Sequence, residues 1–340
     1  MTLNYKWILL TAFAGLAVTG CNKSYLDKSP QDKLTESTTF QTYDGFKTYS
    51  WGFYDIFEGY GNNSEDGNID ILKGDIYSDN MAYTAAGNEN PWAYQLEIVP
   101  SSGGDWDFSF IRRANIMLDN VDNSLLGQAD KDHWRSVGLL FRSFRYLQLL
   151  SEFGDVPWLE HVVGTDSVSI LQGPRTARDT VAANILRDLQ WAEQHIEENN
   201  DGANTVNINV VRAVISRFGL FEGTWRKYHG LANANTYLQA SRDASLLLIN
   251  DFPDLHANYD DLYNSESLAG VEGIILYKEY ANGLRYHSLS RYPGTAAWYV
   301  DMAKDGVESY LCSDGKPIST SPLYAGDHSM YDEFRNRDHR

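Results

Sequence analysis

The residue with the most distinctive chemistry in this chain is Cys21. It follows Val18-Thr19-Gly20, small residues of the kind a signal peptidase accepts, and its thiol is placed to take a diacylglycerol. Upstream, Lys6 supplies a positive charge, and Trp7 to Val18 form an apolar run broken only by Thr11 and Gly15. That run is too short to cross a hydrocarbon layer of about 30 Å, which takes roughly 20 apolar residues. Residues 1–20 therefore read as a lipoprotein signal peptide. The mature chain would begin at Cys21 and be held at a membrane by several acyl chains, palmitate among them, since one chain alone holds only marginally.

A second chemistry is that of flat rings set among amides. Asn90-Pro91-Trp92-Ala93-Tyr94-Gln95 mixes two rings with two amides. Further on, Tyr277, Tyr280, Tyr286, Tyr292, Trp298 and Tyr299 put six aromatics into 23 residues, about twice the 13% of the whole chain. Sugars have apolar C–H faces and hydroxyl rims. Rings cover the faces, and Asn, Gln, Asp and Arg satisfy the rims. A single ring of this kind more often packs a loop onto a helix. A set of them alternating with polar residues fits a glycan surface.

Other chemistries find little support. Asp66-Gly67-Asn68-Ile69-Asp70 opens like a calcium loop, but its sixth position is Ile71 rather than Gly and its twelfth is Tyr77 rather than Glu. The histidines never fall at metal-ligand spacing, and neither a phosphate-binding glycine loop nor a Gly-x-Ser-x-Gly elbow occurs. Carboxylates are plentiful, yet nothing singles out a hydrolytic pair, so a glycosidase ranks below a binding protein. No cofactor is expected. The formal charge of −18 becomes −19 once Lys6 leaves with the signal peptide, which argues against nucleic acid and against a polybasic grip on lipid. With Cys21 acylated, Cys312 is the one thiol left, so no internal disulfide forms.

The elements that must position these residues are mostly helical. Residues 21–38 are polar and aperiodic, a tether with Pro30 in it; Ser37, Thr38 or Thr39 is then expected to cap a helix. Phe40, Tyr43, Phe46, Ser50, Phe53 and Phe57 recur at three- and four-residue steps, one apolar helical face. Residues 58–104 are rich in Gly, Asn and Asp, a long irregular excursion. From Trp106 to Asn250 helical stripes follow one another. They run through Phe110, Ala114 and Val121; through Val137, Leu140, Phe141, Phe144 and Leu147; and through Val181, Ile185, Leu189 and Ile196. The last two carry Val211, Val214, Phe218, Phe221 and Trp225, then Tyr237, Ala240, Ala244 and Leu247. Gly154-Asp155-Val156-Pro157 stops one helix, and Thr176-x-x-Asp179 has the spacing of a capping box for the next. Gly273 to Tyr277 reads as a buried strand. The fold class expected is mainly α, a tetratricopeptide-like α-α superhelix with a loop-rich irregular face and little strand, occupying residues 39–340.

Several motifs along this order resemble the SusD/RagB family of Bacteroidetes outer-membrane nutrient-binding lipoproteins. They are Tyr25-Leu26-Asp27 with Leu34-Thr35-Glu36, and Trp106-x-x-x-Phe110-Ile111-Arg112-Arg113-Ala114-Asn115. Phe141-Arg142-Ser143-Phe144-Arg145-Tyr146 with Phe153-Gly154-Asp155-Val156-Pro157 is the most specific. Arg175-x-x-Arg178-Asp179, Ser313-Asp314-Gly315-Lys316-Pro317 and Asn336-Arg337-Asp338 complete the series. His339 departs from the family's usual proline, and family members typically continue well beyond position 340, so the helical domain is expected to be incomplete at its C-terminus. The resemblance implies a non-catalytic, lipid-anchored, surface-exposed protein of the outer membrane. It would act as lid of a SusC-like TonB-dependent transporter and bind oligosaccharide or polysaccharide. A purely structural docking lipoprotein, or one binding peptide or glycopeptide, is the alternative. By position, the ligand contacts expected are Trp92 with Asn90 and Tyr94, then Tyr292 and Trp298. Trp92 and Trp298 would stack on sugar faces, while Asn90 and Asp79 would meet hydroxyls. Arg142, Asp155 and Asp338 are expected to hold the fold.

Overall fold

The computed structural model describes residues 36–57, 59–60, 78, 80–83, 104–197, 201–281, 283–286 and 300–338. The elements in chain order are α1 (Tyr43–Ser50), β1 (Met81–Tyr83), α2 (Ser109–Val121), α3 (Gln128–Phe153), α4 (Arg178–His195), α5 (Ile208–Tyr228), α6 (Ala234–Asp251), α7 (Tyr259–Asn264), β2 (Val300–Met302), α8 (Lys304–Glu308) and α9 (Met330–Phe334). Consecutive helices α2 to α6 pack each on the next, forming the helical stack that the apolar stripes announce.

Each stripe becomes a contact. α1 buries Phe46 and Ser50, and the 3-10 turn Trp51–Ile56 continues it with Phe53 inward. Phe53 meets Phe110 of α2 and Phe141 of α3 at ring-centroid distances of 5.5 and 5.3 Å. α3 is buried on more than one side: Trp134, Leu140, Phe141, Tyr146, Leu149 and Leu150 are all fully enclosed. Gly154 ends it at φ +70°, a conformation that costs a residue without Cβ little, and its N–H closes onto the Leu150 carbonyl.

Polar groups fix the register of the stack. Arg142 of α3 donates from Nη2 to Asp188 of α4 at 2.6 Å and from Nη1 to Asn115 of α2 and the Glu160 carbonyl at 3.1 Å each. At the next joint Glu222 of α5, wholly buried, accepts from Arg178 of α4 and from Arg226 one turn on, both at 2.7 Å. The α5–α6 contact is made by small residues. A Cβ on Gly219 would lie 2.5 Å from the Tyr237 carbonyl oxygen, and the Ser216 and Ser245 hydroxyls stand 2.8 Å apart.

Local expectations are corrected in four places. Thr42, not Ser37, Thr38 or Thr39, caps α1: its backbone is extended and its hydroxyl accepts from the Gly45 N–H at 3.2 Å, while Glu36–Thr39 forms a turn of its own. The capping box at Thr176 does not form. Asp155 reaches across to accept from the Arg178 N–H at 2.8 Å, Thr176 accepts from the Trp158 N–H, and Asp179 pairs with Arg226. Trp225 and Leu247 stand 40% exposed, because α5 turns Glu222 and Arg226 into the core instead and α6 packs chiefly on α5. Gly273–Tyr277 is not a strand. It is half-buried irregular backbone that leaves a turn at Gly273 (φ +79°), and Tyr277 at its end pairs with a side chain, described below.

The C-terminal part is organised by Arg337, which is buried and donates to the carbonyls of Val307 and Tyr310 at 2.6 and 2.8 Å and to Glu333 at 2.7 Å. The Asp338 N–H donates to the Leu311 carbonyl at 2.9 Å, so the Asn336-Arg337-Asp338 motif closes this segment. Cys312 is a buried free thiol beside it.

Candidate functional site

Asp79, Asn90, Trp92, Tyr94, Tyr292 and Trp298 lie outside the described residues, as does Cys21. What the structure does supply is the pair of strands from which the two aromatic segments depart. β1 and β2 run antiparallel with Met81 opposite Met302, Ala82 opposite Asp301 and Tyr83 opposite Val300. The Ala303 N–H extends the ladder to the Asn80 carbonyl at 2.8 Å, and Gly306 approaches so closely that a Cβ would lie 2.4 Å from that oxygen. The chain therefore leaves β1 at Tyr83 toward Asn90, Trp92 and Tyr94 at the same end where it enters β2 at Val300 from Tyr292 and Trp298. Asp79 adjoins the other end of the ladder, next to Asn80.

The first part of the aromatic run, Tyr277 to Tyr280, is described, and it forms a wall between two cavities. One, of about 650 Å³, has the rings of Trp51, Tyr54, Phe57, Phe144 and Tyr277 on its lining, with Gln148, Asn204, Arg217, Lys278, Glu279 and Arg285 as its polar groups. The other, of about 710 Å³, is lined by Tyr60, Tyr263, Tyr277 and Tyr280 with Ser265, Glu266 and Ser267. Both volumes fall in the range of roughly 300–1,000 Å³ usual for small-ligand sites.

The wall is held by a substitute for a strand. Asn204 sits at φ +58°, and its side-chain amide exchanges both hydrogen bonds with the Tyr277 backbone. Asn204 Oδ1 accepts from the Tyr277 N–H, and Asn204 Nδ2 donates to the Tyr277 carbonyl, each at 2.9 Å. One residue on, Lys278 Nζ donates to the Phe57 carbonyl at 2.8 Å. The Tyr280 hydroxyl accepts from the Tyr60 N–H at 2.7 Å. Gly59 makes that approach feasible, since a Cβ there would stand 2.8 Å from the same hydroxyl at a backbone φ of +57°. On the opposite wall the Tyr54 hydroxyl accepts from the Val206 N–H at 2.7 Å, and burial pushes its phenol up to about 12. It stays neutral at physiological pH and keeps a proton to donate.

Trp51, Gln148 and Arg217 were not singled out by sequence reasoning, which takes Phe144 only as a core position. All four ride on helices or the 3-10 turn whose core stripes dominate the pattern. Trp51, 56% exposed, carries one legible signal: it breaks the Phe46-Ser50-Phe53 stripe with a large ring on the solvent side. The arrangement offers flat apolar faces, neutral hydroxyl and amide partners, and cations, which suits binding of a polar, ring-shaped ligand. Among the described residues no three His, Cys, Asp or Glu side chains come together as a metal site, and no helix is long and apolar enough to cross a membrane.

Fold and cavity thus define a helical-stack protein with a loop-walled cavity. Residues 24–220 match the SusD-like family model described as starch-binding associating with outer membrane. The chain belongs to the SusD-like family. Among its relatives, a SusD-like protein of Formosa agariphila is 24% identical over 288 residues, 78% of this chain and 51% of the relative. A SusD-like protein of Bacteroides ovatus is 21% identical over 297 residues, 80% of this chain and 50% of the relative. The chain spans about half the length of these curated relatives. A crystal structure of a SusD-like carbohydrate-binding protein from Bacteroides fragilis superposes with a TM-score of 0.65 at 18% identity, covering 88% of this chain and 59% of that one. At that identity the likeness is one of fold, and it agrees with the mainly helical architecture expected from the stripes.

Proposed function

We propose that this chain is a lipid-anchored, surface-exposed glycan-binding protein of the outer membrane, the lid subunit of a TonB-dependent importer, with no catalytic step of its own. Family membership supports outer-membrane association and carbohydrate as the ligand class. The observation that carries the reading is the cavity against Tyr277. Five rings and a set of amide, hydroxyl and charged groups face one space of about 650 Å³, the combination that sugar faces and rims require. The β1–β2 ladder adds a second reason, since it joins at one end the two chain segments that carry Trp92 and Trp298. In this reading Trp92 and Trp298 stack on sugar rings, Tyr94 and Tyr292 flank them, and Asn90 and Asp79 exchange hydrogen bonds with hydroxyls. Cys21 carries the acyl chains.

Affinity electrophoresis through gels loaded with polysaccharides tests the assignment. Trp92→Ala and Trp298→Ala should each weaken retention about tenfold or more, because base- or sugar-sized stacking on an aromatic ring is worth roughly 1–3 kcal/mol. Undiminished retention of both folded variants would remove these rings from the site.

A further inference from the structure

We infer that the cavity beside Tyr277 selects anionic glycans, sugars carrying carboxylate or sulfate, over neutral ones; the inference rests on the glycan-binding reading above. The chain carries 46 Asp and Glu against 28 Lys and Arg, so an arginine has no shortage of internal partners. In the buried joints of the helical stack they are used: Arg142, Arg178 and Arg226 each hold a carboxylate at 2.7 Å or closer, whereas more exposed arginines such as Arg113 and Arg242 hold none among the described residues. What distinguishes the cavity is that two such arginines and a lysine line one space. Arg217, exposed on α5 next to the buried Phe218, has among the described residues neither a carboxylate nor a hydrogen-bond partner for its guanidinium. Arg285 on the same cavity likewise has no ion pair among the described residues. Its backbone is held in a tight reversal, exchanging hydrogen bonds with Ala281 at 2.8 and 2.9 Å around Gly283 at φ +78°. Lys278 adds a third positive charge, and Glu279 is the one acidic side chain among the cavity's lining residues.

The excess of positive charge is local and opposes the field of the whole molecule, so it acts at contact distance rather than by steering from afar. A guanidinium offers five N–H donors in a planar fork that matches a carboxylate or sulfate edge in two parallel hydrogen bonds. The Tyr277, Phe57 and Trp51 rings beside it supply the stacking surface for the sugar that bears the anion. A neutral glycan would use the rings and accept at most single hydrogen bonds from the arginines, without the paired, charge-assisted contact an anion makes.

The full chain is titrated by calorimetry with polygalacturonate, a sulfated galactan, and a neutral glucan and xylan. Binding of one or both anionic polymers at least tenfold tighter than of the neutral ones is expected, and the two anionic arms tell carboxylate from sulfate. Arg217→Gln with Arg285→Gln should abolish that tenfold advantage, weakening the anionic polymers about tenfold more than the neutral ones; Arg217→Lys with Arg285→Lys should recover part of it. Neither guanidinium holds the fold, and circular dichroism checks that both variants remain folded. Preference for a neutral glycan, or anionic binding untouched by the double glutamine variant, overturns the inference and spares the glycan-binding reading. No binding to any of the four by folded protein fails both.

Discussion

At the scale of single residues, charge is handled in two ways in this molecule. Arg142, Glu222 and Arg337 are enclosed and paired within the protein, and they act as rivets between helices or loops, although Arg142 Nε, Glu222 Oε2 and Arg337 Nε find no hydrogen-bond partner among the described residues. Asp201 is the rivet with a readable pH signature. Its carboxylate accepts from the Tyr43 hydroxyl at 2.9 Å, lies 2.8 Å from His133 Nε2, and has Lys47 at 4.0 Å. Burial alone would raise the Asp201 pKa; the contacts with His133, Tyr43 and Lys47 outweigh it and hold the carboxyl below its ordinary value. A carboxyl lowered in the folded state contributes its full stabilisation above the unfolded value of ~3.9 and loses it as pH falls through the lowered native one. Asp201→Asn should therefore cost roughly 1–3 kcal/mol at neutral pH, the usual range for a hydrogen bond to a buried charge. It should also flatten the acid side of a stability profile measured by urea unfolding from pH 7 to 3. An acid limb as steep as the parent's would count against Asp201 as its source.

At the scale of elements, most helices were legible because an apolar stripe is a local property of a dozen residues. Phe110-Ala114-Val121 and Val181-Ile185-Leu189 read correctly for that reason. α5 drifted out of reach at its C-terminal end, where Glu222 and Arg226 take the buried positions instead of Phe221 and Trp225. Their partners, Arg178 and Asp179, lie on another helix 44 and 47 residues away, so no periodicity marks them. The α5–α6 contact depends on Gly219 and Gly223, and it yields a test. Gly219→Val places atoms against the backbone of Tyr237 and Ser241, which cannot move aside without separating the helices. A loss of about 1–3 kcal/mol in denaturant unfolding, with faster hydrogen exchange in α6, is expected for such overpacking. Gly127→Ala, where a Cβ meets nothing within 4 Å, serves as the control and should change little.

At the scale of the whole molecule, the question is how a helical stack without a described membrane-spanning helix stays at a membrane. The acyl anchor proposed at Cys21 answers it. Cys21→Ser removes the thiol, and the protein should then move from the membrane fraction to the soluble one on fractionation; continued sedimentation with membranes would argue for a different attachment. The amino-acid sequence by itself determined the helical class and the concentration of rings in two stretches, because each of these is written in neighbouring residues. Tertiary structure alone decided what those stretches do together. Asn204 stands in for a strand against Tyr277 from 73 residues away, β1 finds β2 across more than 200 residues, and Arg217 of α5 meets Arg285 and Trp51 around one cavity. Such pairings are settled by the packing of the stack rather than by local preference, since closing a long loop costs little more than closing a short one and leaves the sequence free of any mark of its partner.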